Sequence, residues 1–390
     1  MRVLVVTREF PNAIDPHFAP FNRQQFAALG RTCKVDVIAP VPWFPGAGFF
    51  ADCSDAGRLL RVPREERIDD LSVIHPRYAY LPRVGHLAGG VLYAASLARE
   101  VQRRRGHYDV VLGSWAFPDG VAAVALARLL GVPAVVKVHG TDMNVLARKP
   151  AVAANLRWAL PRARRVVVVS RPLGEAVASF AVLRDRIDLV PNGVDADIFL
   201  PRDRAAARSD LGQASDQRRW LLYVGRLEES KGILDLVQAF RTVALRRTDL
   251  RLVIVGDGSA RPTCERAAED LGDRVLVAGQ RPLAQVPIWM AACDALVLPS
   301  WAEGTPNVVI EALACGRRVV ATPVGGIPEL IHAPDLGELV QARDPGRLAA
   351  ALERAAETRY DPEVVSLKAS RGSWADSARL LEQSLRLAMA

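Results

Sequence analysis

The sequence predicts an α/β protein built from two doubly wound, Rossmann-like domains facing a cleft. Three observations lead there. The 390 residues suffice for two ordinary domains. Short continuous apolar runs, Arg2–Thr7 and Trp220–Val224 among them, read as strands buried on both faces of a parallel sheet. They alternate with helical stretches, and polar or glycine-rich loops follow them, at the strand ends where such sheets bind ligands.

Residues 1–190 form the first domain. Arg2–Thr7 is a strand, Arg8–Asn22 a loop, Arg23–Gly30 a helix and Val35–Ala39 the next strand, a βαβ opening. Val41–Phe50 is an aromatic loop that either packs on its own domain or faces lipid or an acceptor. Leu71–His75 is a strand. The helix His86–Arg105 ends in Arg103-Arg104-Arg105, either a solvated face or a contact for anionic lipid. Asp109–Gly113 is a strand, and W-A-F-P-D-G leads from it into the helix Val121–Leu130. The strand Pro133–Val138 ends in His139-Gly140-Thr141-Asp142. A histidine at that end of a parallel strand faces the ligand crevice or serves as a hydrogen-bonded loop residue. Arg165–Ser170 and Ile187–Val190 are the last strands.

The turn P-N-G-V-D, with Asn192 and Gly193, marks the change of domain, and residues 191–372 form the second. Pro201–Arg218 reads as a polar, irregular lead-in. Trp220–Val224 is followed by V-G-R-L-E-E-S-K-G and a helix, Ile233–Arg247, with Ser230 as its cap. Gly225 opens that turn; Arg226 and Lys231 then offer an arginine fork and a lysine point charge, a set that suits two phosphates. The strand Leu252–Val255 ends in Gly256-Asp257-Gly258-Ser259, a nucleotide-side loop; Arg261 stands where a dinucleotide fingerprint needs its third glycine. Val275–Ala278 is a strand and Val286–Cys293 a helix.

Ser300–Gly316 (S-W-A-E-G-T-P-N-V-V-I-E-A-L-A-C-G) follows the buried strand Ala295–Leu298 and is the most informative stretch. Thr305 is read as the N-cap of a helix, Pro306 as its first residue and Gly316 as its stop. Glu303 and Gly304 lie in the loop ahead of it. The first N–H groups, at Asn307 and Val308, face the helix start, where an anion binds. Glu311 interrupts an apolar run roughly 7–8 Å along the axis, and a carboxylate there needs a partner. Two acids flanking an anion site match a sugar nucleotide, which lines up a hexose, a diphosphate and a ribose. Arg318–Ala321 and Pro323–Glu329 continue the unit, Leu348–Glu357 is helical, and Trp374–Leu387 is an amphipathic final helix.

Half of the residues are hydrophobic. Residues 1–190 carry 26 Lys and Arg against 16 Asp and Glu, while the rest of the chain is slightly acidic, so the first half suits an anionic partner or membrane surface. The basic residues lack interleaved aromatics, which argues against nucleic acid. The five scattered cysteines make no metal spacing and fit a reducing cytoplasm. No apolar run reaches the ~20 residues that span a bilayer; Val121–Val136 is broken by Arg128 and Gly131–Pro133. The N-terminus enters a strand directly, without a signal peptide pattern. The expectation is a cytoplasmic protein, at most peripheral to the inner face of the membrane.

The E-G-T-P-N-V-V-I-E segment with A-L-A-C-G-R-R-V-V-A-T-P-V-G-G-I-P-E after it resembles the E-x7-E signature of retaining glycosyltransferases of family 4, which have the GT-B fold. Arg226 and Lys231 match the family's diphosphate-binding R-x4-K; His139-Gly140-Thr141-Asp142 is similar to its active-site loop, and P-N-G-V-D to its interdomain element. Pro16–Phe21 resembles the P-x-x-G-x-F loop of polysaccharide-building members, with Phe18 on the acceptor side and Ala19 in the glycine's place. The resemblance implies that Glu303 contacts the donor sugar's hydroxyls and Glu311 those of the ribose. It implies that Arg226 and Lys231 neutralise the leaving diphosphate, that His139 faces donor sugar and acceptor, and that Asp142 orders its loop. The last helix, about 373–390, crosses back onto the first domain in this fold. No D-x-D motif stands at a strand end, so no metal and no other cofactor is expected. The first-domain features look like those of exopolysaccharide and teichuronic-acid-type enzymes, which implies a glycan or lipid-linked oligosaccharide acceptor. A non-catalytic sugar-nucleotide-binding protein and a GT-B-fold epimerase are the alternatives; a phosphorylase would need a lysine for pyridoxal phosphate, and none of the five suggests itself.

Overall fold

The computed structural model describes residues 1–44, 55–79, 85–369 and 372–390. Contacts divide the chain into two units: Met1–Gly193 with Trp374–Ala390, and Val194–Ser373.

In the first unit the strands are β1 (Arg2–Val6), β2 (Lys34–Ile38), β3 (Val41–Trp43), β4 (Glu65–Ile68), β5 (Leu71–Ile74), β6 (Arg77–Ala79), β7 (Val110–Ser114), β8 (Ala134–Lys137), β9 (Arg165–Val168) and β10 (Ile187–Leu189). Eight make one sheet in the order β10-β9-β8-β7-β1-β2-β5-β4, and β3 and β6 pair separately. The large sheet is parallel except for β4, which runs antiparallel to β5. β1 is apolar throughout because it is covered on both faces: Leu4 and Val6 enter one core, Val3 and Val5 the other. The helix Trp374–Met389 closes the second of these cores with Ala378, Leu381, Leu385 and Ala388. Each buried leucine contributes about 1.5–3 kcal/mol. Ser377 donates to the Pro191 carbonyl at 2.6 Å and Ser384 to Asp188 at 2.5 Å, which fixes that helix on its own unit.

The second unit holds β11 (Arg219–Val224), β12 (Leu250–Val255), β13 (Val275–Gly279), β14 (Ala295–Leu298), β15 (Arg318–Ala321) and β16 (Gly337–Leu339), all parallel, in the order β13-β12-β11-β14-β15-β16. The strand order turns back at β1/β7 in one unit and at β11/β14 in the other. These are the switch points where doubly wound sheets bind ligands.

Several local expectations are corrected. The first helix runs from Pro20 to Gly30, not from Arg23, because Pro20 suits its first turn and Ala19 takes a left-handed conformation (φ 45°) ahead of it. The helix Ile233–Ala244 follows Gly232 (φ 68°) and takes no side-chain cap, so Ser230 does not cap it. The helix after β14 starts at Asn307 with Pro306 as N-cap (φ −72°, ψ 120°) and no side-chain cap, so Thr305 is not the cap. Pro201–Arg218 is not irregular throughout. Asp203 caps a helix, Arg204–Asp210, by accepting from the Ala206 N–H at 2.8 Å. Arg208 is buried there, bonded to the Ala292 carbonyl and to Asp294 and lying 4.8 Å over the Trp220 ring. Arg103–Arg105 lie beyond the helix end at Gln102, with Arg103 and Arg104 paired to Glu100. Val41–Trp43 of the aromatic loop is a strand, while 45–50 and Cys53 lie outside the described residues. The other four cysteines are buried and unpaired.

Candidate functional site

In the second unit the β11 loop and the β14 loop meet. Lys231 Nζ donates to Glu303 Oε1 at 2.7 Å, and both side chains are largely shielded from solvent. Glu303 is placed by the turn behind it: Gly325 (φ 57°) comes so near that a Cβ there would stand 2.2 Å from the Glu303 carbonyl oxygen. The Gly326 N–H bonds Gly304 O at 2.6 Å. Trp301 braces the same loop, donating Nε1–H to Asp235 at 2.7 Å and its main-chain N–H to Ser230 O at 2.9 Å.

The helix Asn307–Ala314 starts directly after this loop and directs the N–H groups of its first turn, Val308 among them, past its end. The Glu311 side chain, one turn in, has no hydrogen bond or ion pair among the described residues. Burial alone pushes its pKa up to about 7. A carboxylate left without a partner on an otherwise apolar helix is poised to accept from ligand hydroxyls. Arg226 is mostly exposed and bonded to Glu228 at 2.8 Å, so the structure brings Lys231, but not Arg226, onto Glu303. Gly225 and Gly256 pack loop on loop: Gly256 has φ 147°, and a Cβ would lie 1.8 Å from the Gly225 oxygen. This close approach of the two loop main chains lies at the carboxyl ends of β11 and β12.

In the first unit the residues at the ends of β1, β7 and β8 form a second cluster. His139 lies between aromatic rings, Trp115 at 5.4 Å (interplanar 24°) and Phe21 at 5.1 Å (50°). Its Nε2 is 2.9 Å from Ser114 Oγ. Trp115 holds φ 108°, a strained value of the kind that gathers at functional sites. Asp142 has no exposed surface and accepts from the N–H groups of Ala116, His139, Gly140 and Met143 at 2.7–3.2 Å. It therefore shapes the His139 loop rather than offering itself to a ligand. Burial nevertheless pushes its pKa up. Desolvation, with Lys137 nearby, holds the His139 pKa well below the usual imidazole value, so the ring is neutral. Lys137 is itself fully buried and bonded to Gln25 at 2.5 Å, and burial lowers its pKa to about 7.

Ala19 is buried in its left-handed conformation, the geometry a glycine adopts at no cost, and Phe18 beside it is exposed. Asn192 is buried at the end of the first unit. Sequence reading missed Ser114, Asn22, Lys137 and Asp119. Asp119 lies within W-A-F-P-D-G, is fully buried, and accepts from the Tyr93 hydroxyl at 2.5 Å and the Arg8 N–H at 3.2 Å; burial raises its pKa to about 7. The position of Ser114 and Trp115 at the carboxyl end of β7 was the available signal. Among the described residues no group of three or more His, Cys, Asp or Glu is placed to hold a metal ion, and no helix is long and apolar enough to cross a membrane.

Comparison with known proteins agrees with this geometry. Residues 218–358 match the family described as Glycosyl transferases group 1, and residues 53–198 match Glycosyltransferase Family 4. A Bacillus subtilis (strain 168) protein named as the teichuronic acid biosynthesis glycosyltransferase TuaC is 30% identical over 371 residues, covering 94% of this chain and 90% of its own. A D-inositol 3-phosphate glycosyltransferase of Pseudarthrobacter chlorophenolicus is 31% identical, covering 86% and 79%. Among solved structures, Anabaena Alr3699/HepE in complex with UDP superimposes with a TM-score of 0.72 at 21% identity, covering 99% of this chain and all of that one. Sucrose-phosphate synthase from Thermosynechococcus elongatus gives 0.72 at 20%, covering 100% and 96%. With two parallel-sheet α/β units of GT-B type and relatives that span its length, the chain belongs to glycosyltransferase family 4.

Proposed function

We propose that the protein transfers a hexose from a nucleoside-diphosphate sugar to a glycan or lipid-linked oligosaccharide acceptor in the building of a cell-surface polysaccharide, with retention of anomeric configuration and without a metal. The observation that carries the donor assignment is the Lys231–Glu303 contact beside a helix whose Glu311 has no partner. It supplies a cation for phosphate, an acceptor for sugar hydroxyls and a second acceptor for a ribose. In this reading Lys231 and Arg226 meet the charge that builds on the departing diphosphate. The acceptor oxygen bonds the anomeric carbon on the face the phosphate leaves, and its proton passes to the phosphate oxygen. His139 and the loops of the first unit serve the acceptor side. UDP is the favoured carrier, in line with the UDP complex of the Anabaena protein.

A membrane-borne acceptor is supported by charge. From residue 143 to 174 there is no Asp or Glu, and Arg148, Lys149, Arg157 and Arg162 are exposed there beside Trp158. Absence of flotation with anionic vesicles at low salt would remove this part of the reading.

The donor assignment is tested by thermal stabilisation with UDP, GDP and ADP, for the native chain and for Lys231→Ala and Glu311→Ala. One diphosphate should stabilise the native chain and do so less in both variants. No stabilisation by any of the three defeats the assignment. Activity unchanged by chelators, and product whose anomeric configuration matches the donor's, are the outcomes required of the metal-independent, retaining reaction.

A further inference from the structure

Three side-chain hydrogen bonds run from the main chain of the β1 loop to the ring of His139, and each has a forced direction. The Glu9 carbonyl only accepts, so the Asn22 atom 2.7 Å from it is the amide nitrogen, Nδ2. Asn22 Oδ1 therefore faces Ser114 Oγ at 3.0 Å, and an amide oxygen only accepts, so the single hydroxyl proton of Ser114 points to it. Ser114 Oγ has then only lone pairs to offer His139 Nε2, 2.9 Å away, and the ring nitrogen must donate. Asn22 and Ser114 have no exposed surface, which leaves no room for water to replace a link. The ring is clamped by Trp115 and Phe21, and its main chain is held by Asp142, so a ring flip would forfeit the bond to Ser114.

We propose that Asn22 and Ser114 are positioning residues that hold His139 in its Nε2–H tautomer and so present Nδ1 as a fixed hydrogen-bond acceptor for a substrate hydroxyl. Nδ1 has no partner among the described residues and is not sealed from solvent. Because the imidazole is neutral, Nδ1 keeps its lone pair at physiological pH. Such an atom welcomes an O–H and discriminates against a deoxy or O-methylated position, which leaves it unpaired. It cannot protonate the departing phosphate, a task that stays with the acceptor's own proton. This inference rests on the reading that His139 faces substrate, but the tautomer is a property of the ligand-free chain.

The deciding experiment is a long-range 1H–15N correlation spectrum of the full chain labelled at its six histidines, with His139 assigned through His139→Gln. The Nε2–H pattern should appear at pH 7.5 and persist below the pH at which an ordinary imidazole takes up its second proton. An Nδ1–H pattern or an imidazolium at pH 7.5 overturns the inference, whether or not any variant folds. In Ser114→Ala the tautomers should mix, and kcat should fall roughly 10- to 100-fold with stabilisation by UDP retained. A single Nε2–H tautomer and unchanged kcat in that variant would also overturn it. A native chain that shows the Nε2–H pattern but binds no nucleoside diphosphate would instead defeat the donor reading and leave the tautomer standing.

Discussion

Glu311 allows a stability measurement to report on the donor side directly. Its carboxyl titrates at about 7 in the folded chain against an ordinary value of 4.5, and burial is the cause. Between those pH values the folded chain binds the proton more tightly than the unfolded chain does. Stability therefore falls as pH rises from about 4.5 to about 7, and levels off above that. At full burial the displacement is worth about 3 kcal/mol. The side chain keeps some solvent access, so about 1–2 kcal/mol is the better expectation. Glu311→Gln keeps the shape and removes the charge. At pH 8 the variant's second unit should be more stable by that amount, or about 2–8 °C in Tm. At pH 4.5 the two chains should be nearly equal, because the folded carboxyl is then protonated and uncharged like the amide. Calorimetric scans at both pH values, with and without UDP, measure this, and the two units need not melt together. The same variant should lose part of its stabilisation by UDP, since an amide replaces one carboxylate acceptor. Equal or lower stability of Glu311→Gln at pH 8, or a gain of the same size at pH 4.5, would refute the claim that this carboxylate is held uncompensated for a ligand.

Lys137, buried without a carboxylate partner, has a folded pKa of about 7 against 10.5 unfolded. The unfolded chain binds more protons in that window, so stability rises with pH from about 7 to 10.5, and Lys137→Met should flatten that rise; a slope unchanged in urea titrations would refute this. Ala19→Gly should relieve the left-handed strain at φ 45° and stabilise the first unit by about 0.5–1 kcal/mol, read as a shifted urea midpoint; a loss of stability would show that the Cβ contributes packing. Gly325→Ala places a methyl 2.2 Å from the Glu303 oxygen and should cost about 2–4 kcal/mol together with UDP-induced stabilisation; a neutral outcome would mean that the turn behind Glu303 is soft.

Much of the frame was legible because backbone chemistry is local. Ala295–Leu298 was bounded to the residue from its apolar run, since a strand buried on both faces has no polar position to blur its ends. Helix starts were less legible. Thr305 and Ser230 are good caps by type, yet Pro306 and the left-handed Gly232 set where the chain turns in. The short helix at Arg204–Asp210 was hidden by its charge. Arg208 reads as surface, but Asp294 and the face of Trp220 make its burial tolerable.

The sequence alone determined the two parallel-sheet units, the family, and the acids and bases of E-G-T-P-N-V-V-I-E and R-x4-K, because these depend on residue type at fixed spacing along one strand–loop–helix segment. Only the tertiary structure decided what those residues meet. Lys231 and Glu303 lie 72 positions apart, and a salt bridge between them exists only because β11 and β14 are neighbours in the sheet. Glu311 is short of a partner because of everything packed around its helix, which no spacing records. The tautomer of His139 is set by Asn22 and Ser114, 117 and 25 residues before it, through hydrogen bonds whose directions require a dry, closed environment. Spacing determines which groups a chain owns, and burial determines which of them remain available for chemistry.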